Sequence, residues 1–270
     1  MRMVYTKVLA MLFAVAAFVG MSTAQVFAAS DWAANNYIEV TGTGMAPANA
    51  VNVNHGRMLA RRAAVADCYR QLAEMVKGVQ VESGTDVEMM MLASDEVKLR
   101  VATTIKGAVI VAERDLGEGG YEVTMRMPIF GSENSLAKAV LPAQPQGRET
   151  FPTPTVTVPS SGGYTGLIVD CRGLGLKPVM SPVIKNDSGQ KIYGYKNLDP
   201  DKVIAQGMAN YTYDPNSGIE RAGSNPLMVK AVSVDNHNGD PVISTADADK
   251  VLTENNVSHF LENTNVVFIR

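Results

Sequence analysis

Between Pro142 and Pro159 the chain places Pro142, Pro145, Pro152, Pro154 and Pro159, five of its 13 prolines, and Ser160-Ser161-Gly162-Gly163 follow at once. A stretch with so many fixed φ angles and missing N–H donors cannot run through the interior of a helix or a sheet. It reads as a linker over residues 131–163, of extended polyproline-like stiffness and ending in a flexible hinge. The chain is thereby expected to divide into a first domain over 37–130 and a second over 164–270. Each is near the small end of independently folding units, so each should hold one modest core.

The N-terminus sets the expected compartment. Arg2 and Lys7 precede an apolar run from Val8 to Val19, and Val26-Phe27-Ala28 stands before Ala29, the layout of a secretory signal peptide over residues 1–28. The run is shorter than the roughly 20 residues of a membrane span. No other long apolar run exists and the mean hydropathy is near zero, which excludes a multi-span membrane protein. With a formal charge of -3 and no basic tail, nucleic acid is not an expected partner. No Cys occurs before Cys68, so no lipid anchor is expected, and the product should be exported to the periplasm or the cell surface. Cys68 and Cys171 then meet an oxidising compartment in which one disulfide is possible, yet Cys68 sits in an Ala-rich helical pattern and Cys171 ends an apolar strand of the other domain, so each reads as a small buried residue.

In the first domain Ile38 and Val40 alternate as in a strand until Gly42 and Gly44 break the pattern. From His55 to Lys77, Leu59, Ala63, Ala66, Leu72 and Val76 recur at helical spacing, with Gly78 as the stop. Val79, Val81, Ser83, Thr85 and Val87 suggest a half-buried strand. Ser94 caps a helix carrying Val97, Val101 and Ile105. Ala108 to Ala112 and Tyr121 to Met127 form two strands around the glycines at 117, 119 and 120. The fold class is therefore α+β, with a β-α-β-α-β-β order and both helices on one face of the sheet.

The second domain reads as β-rich, with strands at Gly166 to Asp170, Val179 to Lys185, Gln190 to Tyr195, Ala209 to Tyr213, Leu227 to Val234 and Asn265 to Arg270. One clear helix starts near Thr245, where Asp247 and Asp249 complement the helix dipole.

The spacings that chemistry requires are mostly missing. There is no phosphate loop, no His-Glu-x-x-His, no Gly-x-Ser-x-Gly and no paired Cys motif, so no catalytic, cofactor-binding or metal residue is assigned and the chain is not expected to be an enzyme. Gly173-Leu174-Gly175 lacks a third glycine and Pro178 obstructs a helix start, which leaves a turn. Asp235, His237 and Asp240 suggest a cation loop, but Ala246 stands where a bidentate Glu would be required, and a hairpin turn at Asn238-Gly239 is favoured. A three-His site would need His55, His237 and His259 together. Asp170 at a strand end is a candidate carboxylate, with Glu220 as its companion; the alternative is an Asp capping the next turn beside Arg172. Arg57, Arg61, Arg62 and Arg70 form a basic helix edge that Asp67 and Glu74 can neutralise. Asn186, Asn210 and Asn256 each begin an N-x-S/T triplet, to which no role is assigned.

Ile38-Glu39-Val40-Thr41-Gly42-Thr43-Gly44, Ala60-Arg61-Arg62-Ala63-Ala64, Asp67, Tyr69, Arg70, Leu72, Val76, Gly78, Lys106-Gly107-Ala108 and Tyr121-Glu122-Val123 together resemble the bacterial twenty-kilodalton surface lipoprotein (Lpp-twenty) family. The same segment is similar to the N-terminal domain of flagellar assembly protein T. Gly163 to Asp170 opens a segment that looks like one accompanying this domain in other exported bacterial proteins. The resemblance implies an envelope protein with an α+β domain and no catalytic residues. The chain lacks the lipid-acceptor Cys of the lipoproteins, and it differs from the flagellar protein in length and in its second domain. The expected function is non-enzymatic, a structural or adaptor role toward other envelope or flagellar proteins. The alternatives are a cell-wall glycan-binding module or hydrolase, and self-association through exposed strand edges.

Overall fold

A computed structural model describes residues 32–131, 133–142, 147–156, 158–214, 216–217 and 219–270; the expected signal peptide, residues 1–28, lies outside the described residues. A short helix α1 (Trp32–Asn35) leads into strand β1 (Tyr37–Met45), which does not stop at its glycines. Gly42 and Gly44 are inside the strand because helix α2 (Val53–Lys77) lies directly on them. A Cβ on Gly42 would stand 2.4 Å from the Ala64 carbonyl oxygen, and one on Gly44 would stand 2.2 Å from that of Ala60. The buried face of α2 is accordingly Gly56, Ala60, Ala64, Cys68, Leu72 and Val76. Ala63 and Ala66, expected to face the core, are exposed. Hydropathy favours large side chains, whereas the close approach selects small ones, so the true stripe is rotated from the expected one.

The expected strand from Val79 to Val87 is also divided. Gly84 turns at φ 85°, giving a hairpin of β2 (Gln80–Glu82) and β3 (Thr85–Asp86), and Asp86 then caps α3 (Val87–Ala93) by accepting the Met89 N–H at 2.8 Å. This hairpin joins no strand of the first sheet. It bonds onward to the C-terminal half, where Met180 and Ser181 donate N–H groups to the carbonyls of Gln80 (3.0 Å) and Val81 (2.8 Å). After α4 (Asp95–Lys106), capped by Ser94, come β4 (Val109–Gly117) and β5 (Gly120–Pro128). The sheet order is β1-β5-β4, antiparallel throughout. Tyr121, Val123, Met125 and Met127 point to α2, while Thr41 and Thr124 pair their hydroxyls at 3.1 Å on the opposite, polar face.

The expected linker is not a free spacer. Its first part forms α5 (Leu136–Val140), capped by Ser135 and buried at Leu136, Ala137, Ala139 and Val140. The described residues 147–156 and 158–163 lie as a strap along the C-terminal half, and the expected hinge is pinned, as described below. That half is a mixed seven-stranded sheet with order β8-β7-β11-β10-β6-β12-β9, built from β6 (Gly166–Asp170), β7 (Ile184–Asn186), β8 (Lys191–Tyr193), β9 (Asn210–Thr212), β10 (Pro226–Asp235), β11 (Asp240–Ile243) and β12 (Val266–Ile269). β6 runs parallel to both β10 and β12, and its apolar run is covered on both faces, as parallel strands require.

Helices α6 (Pro200–Gln206), α7 (Ile219–Ala222) and α8 (Thr245–Ser258) complete the fold. Only α8 was expected. The signal for α6 was present in Asp199-Pro200, a side-chain cap followed by proline at the first helical position. β11 was obscured by Pro241, which sits before the Val242 and Ile243 pairing to β7 and so forfeits no ladder bond there. One continuous cluster of buried residues runs from Ile38 of β1 to Phe268 of β12 across both halves.

Candidate interaction surface

The carboxylate pair expected at a glycan site does not form. Asp170 closes β6 and is gripped by Arg172, whose Nε and Nη2 donate to it at 2.9 and 2.6 Å, while the Arg172 N–H caps the turn at 3.1 Å. The Arg172 hydrogen bonds hold the Asp170 carboxyl below its usual range, the opposite of a general acid. Glu220 belongs to α7, whose Ala222 packs on Gly166 at the other end of β6. Four residue steps of β6, about 13 Å, separate the two ends, beyond the roughly 5–9.5 Å of paired glycosidic carboxylates. Asp170→Asn is expected to change unfolding free energy by less than about 1 kcal/mol and to leave sedimentation with wall material unaltered; a loss of sedimentation would restore the glycan reading.

Asp235, His237 and Asp240 bracket a hairpin turn in which Asn236, His237 and Asn238 all adopt positive φ (45°, 54° and 68°). Asp240 is buried and accepts from the Ser83 hydroxyl (2.7 Å), Asn236 Nδ2 (2.6 Å) and the Val183 N–H (3.3 Å), tying the β2–β3 turn to the second sheet. Lys185 lies between Asp235 (2.7 Å) and Asp240 (3.4 Å). Burial opposes its charge, but the two carboxylates outweigh burial and raise its pKa. Asp240→Asn should cost about 1–2 kcal/mol in urea unfolding, since Lys185 keeps Asp235. An unchanged midpoint would show that this cluster does not couple the halves.

His55 accepts the Val51 N–H at 3.2 Å, and His259 ends α8 at φ 53°; among the described residues no group of three metal-ligating side chains forms. Gly173 and Gly175, at φ 80° and 72°, make the turn after β6. Cys68 and Cys171 are both free and buried. Burial raises both thiols, that of Cys171 to about 12, which leaves them unreactive.

The basic edge of α2 has two uses. Arg70 pairs along the helix with Asp67 (2.7 Å) and Glu74 (2.8 Å), as the spacing predicts. Arg57 and Arg61 instead reach across to β4, to Asp115 (3.0 Å) and Glu113 (2.6 Å). These bonds position the surface that stands out. All nine residues of β4 are exposed, including Val109, Ile110, Val111 and Leu116, and among the described residues β4 pairs only with β5. β4 ends in the wall of a cavity of about 540 Å³, bounded by Ala46, Ala50, Val53, Gly56, Asp115 and Gly117. Exposed Met45, Val51 and Val53 stand beside it. The sequence signal for this surface was the strand itself; its exposure was not legible there.

A second cavity, of about 270 Å³, lies between the halves among Trp32, Phe130, Val179, Tyr211 and Arg221. Arg221 gives its N–H groups to the carbonyls of Gln206, Gly207 and Thr264, to Asn210 Oδ1 and to Thr264 Oγ1, which makes it a clip rather than an anion site.

Residues 166–270 match the family model described as Treponema pallidum Tp0624, second domain. The C-terminal half is thus similar to a bacterial domain, and the match covers less than half of the chain. No curated protein matches it.

Proposed function

We propose that the chain is an exported, non-enzymatic bacterial cell-envelope protein that acts as a structural or adaptor component by binding other envelope proteins. The observation that carries this reading is the free edge of β4 with the apolar-rimmed cavity at its end, a surface suited to a polypeptide rather than to a reaction. Similarity of residues 166–270 to a bacterial domain supports it, as does the resemblance of the first half to the twenty-kilodalton surface lipoproteins and to the N-terminal domain of flagellar assembly protein T. A place near the flagellum is the finer form of the same reading. Among the described residues no helix is long and apolar enough to cross a membrane.

The test is in-cell crosslinking of the tagged full chain with mass spectrometry of the adducts, beside N-terminal sequencing of the mature product. Discrete envelope proteins and an N-terminus at Ala29 are expected. Turnover of an envelope substrate, abolished by a point substitution in the C-terminal half, would overturn the reading.

A further inference from the structure

The strap is held as a separate peptide would be. None of its described residues belongs to a helix or strand, and its bonds are made largely to side chains of the C-terminal half. At its start the Asn197 amide donates to the carbonyls of Glu149 and Thr150, both at 3.3 Å, and the Glu149 N–H donates to the Lys196 carbonyl at 2.9 Å. Phe151 packs against the core. Further along, Asp249 of α8 accepts the N–H and hydroxyl of Thr155 and the N–H of Val156, and Glu254 accepts from Ser160, Ser161 and Gly162, all within 3.1 Å. Thr155, Val156, Ser160 and Ser161 are themselves exposed, so the groove opens to solvent and departure of the strap would break no helix or sheet bond.

The groove states what it requires of an occupant. Asp249 and Glu254 are 5% and 1% exposed, and among the described residues the hydrogen bonds they accept come from the strap. Buried carboxylates stripped of their donors are costly, so a replacement must bring the same donors. Residues 155, 156, 161 and 162 give N–H groups, which excludes proline there, while residues 155, 160 and 161 give hydroxyls, which requires Ser or Thr. Each anchor is a proline followed by a hydroxyl residue, Pro154-Thr155 and Pro159-Ser160, five residues apart. The prolines keep the segment extended and withhold N–H groups where no acceptor stands. Both carboxylates lie in the matched residues 166–270, and the strap precedes them.

We propose that the groove along α8 is a polypeptide-binding site, filled here in cis by the strap, whose place is taken by an extended segment of another protein carrying Pro-Ser/Thr twice, five residues apart, with a second hydroxyl residue and a glycine after the later pair. This gives the protein a binding surface separate from the β4 edge. The strap is then a tethered competitor, and a partner binds in proportion to the fraction of molecules whose groove is vacant.

The probe is the capped peptide Phe-Pro-Thr-Pro-Thr-Val-Thr-Val-Pro-Ser-Ser-Gly-Gly, titrated into the isotope-labelled full chain; the control peptide has Val, Ala and Ala at the three anchoring hydroxyl positions. Thr155→Val/Ser160→Ala/Ser161→Ala weakens the strap and leaves the groove intact. This variant should bind the probe at least tenfold more tightly than the parent and the control at least tenfold more weakly than the probe, with amide shifts centred on α8. Adding Glu254→Gln should abolish the gain. In the parent the same amides should move only near about 1 mM peptide, the effective concentration of a short tethered segment. A weakened strap that brings no tighter binding, equal binding of the two peptides, or parent α8 amides that stay fixed at that concentration would overturn the proposal. In cells, a photocrosslinker at exposed Lys250, beside Asp249, should be joined in the weakened chain to a segment of this pattern in another protein. Adducts in the general crosslinking but none of this kind at Lys250 would remove the groove and leave protein binding standing; adducts in neither would remove both.

Discussion

Gly42→Ala is expected to destabilise the protein by about 3 kcal/mol or more and to yield an aggregating product when combined with Gly44→Ala. The cause is steric and specific. The new Cβ at residue 42 meets the Ala64 carbonyl oxygen at 2.4 Å and the Cys68 N and Sγ at 2.8 Å, and two of these three atoms are helix backbone that no rotamer change can move. Relief requires α2 to lift off β1, which opens the interface along Ala60, Ala64 and Cys68. Trimming Cys68 to Ala removes only the sulfur contact, so the double variant should recover little. Thr43→Ala, one residue away, removes an exposed side chain and should cost well under 1 kcal/mol. Urea unfolding of the set checks this. Similar midpoints for Gly42→Ala and Thr43→Ala would show that the helix does not rest on the strand backbone.

The second large effect is on the strap. Glu254 of α8 is 1% exposed and, among the described residues, is held by hydrogen bonds and not by an ion pair. It accepts instead from the Ser160 hydroxyl (2.7 Å), the Ser161 N–H and hydroxyl (2.8 and 2.9 Å) and the Gly162 N–H (3.0 Å). One helical stretch earlier, Asp249 takes the N–H and hydroxyl of Thr155, both at 2.6 Å, and the Val156 N–H at 3.1 Å. Burial alone would raise the Glu254 pKa, but the strap's hydrogen bonds outweigh it and bring it down to about 2 from an ordinary 4.5. The Thr155 hydroxyl leads in holding Asp249 below its usual range.

Because these pKa values are lowered in the folded state, the stabilisation is complete above the ordinary carboxylate range and is lost as pH falls from about 4.5 toward 2. Glu254→Gln should therefore lower stability at pH 7 by about 2–3 kcal/mol. It should also flatten the acid limb and open the strap near Ser160 to limited proteolysis. An acid limb identical to that of the parent would show that Glu254 does not latch the strap.

The strap also shows where reading the chain in isolation stops. Pro142, Pro152, Pro154 and Pro159 lie outside any helix or strand, yet a spacer and a docked strap have the same composition. What distinguishes them is a pair of carboxylates more than ninety residues away. Of the two acids that the sequence sets against the α8 dipole, Asp247 is in the first turn, its N–H capped by Ser244 at 3.0 Å, whereas Asp249 faces the strap. Asp170 followed the opposite course. Its turn-capping role beside Arg172 was legible because every partner lies within two residues.

By itself, the sequence determined the mixed α+β class and the elements whose energetics are local. These include α4 behind its Ser94 cap, the β4–β5 pair around glycines at positive φ, the apolar β6 and the helix after Ser244. Caps, turns and periodicity act within a few residues and leave their mark in the residues themselves. The tertiary structure alone decided which face of α2 is buried, that β2 and β3 serve the second half, that the linker docks, and that β4 keeps an open edge. Each of these depends on how closely distant backbones approach and on which buried polar group finds which partner. Such contacts join residues far apart in the chain, so no local pattern records them.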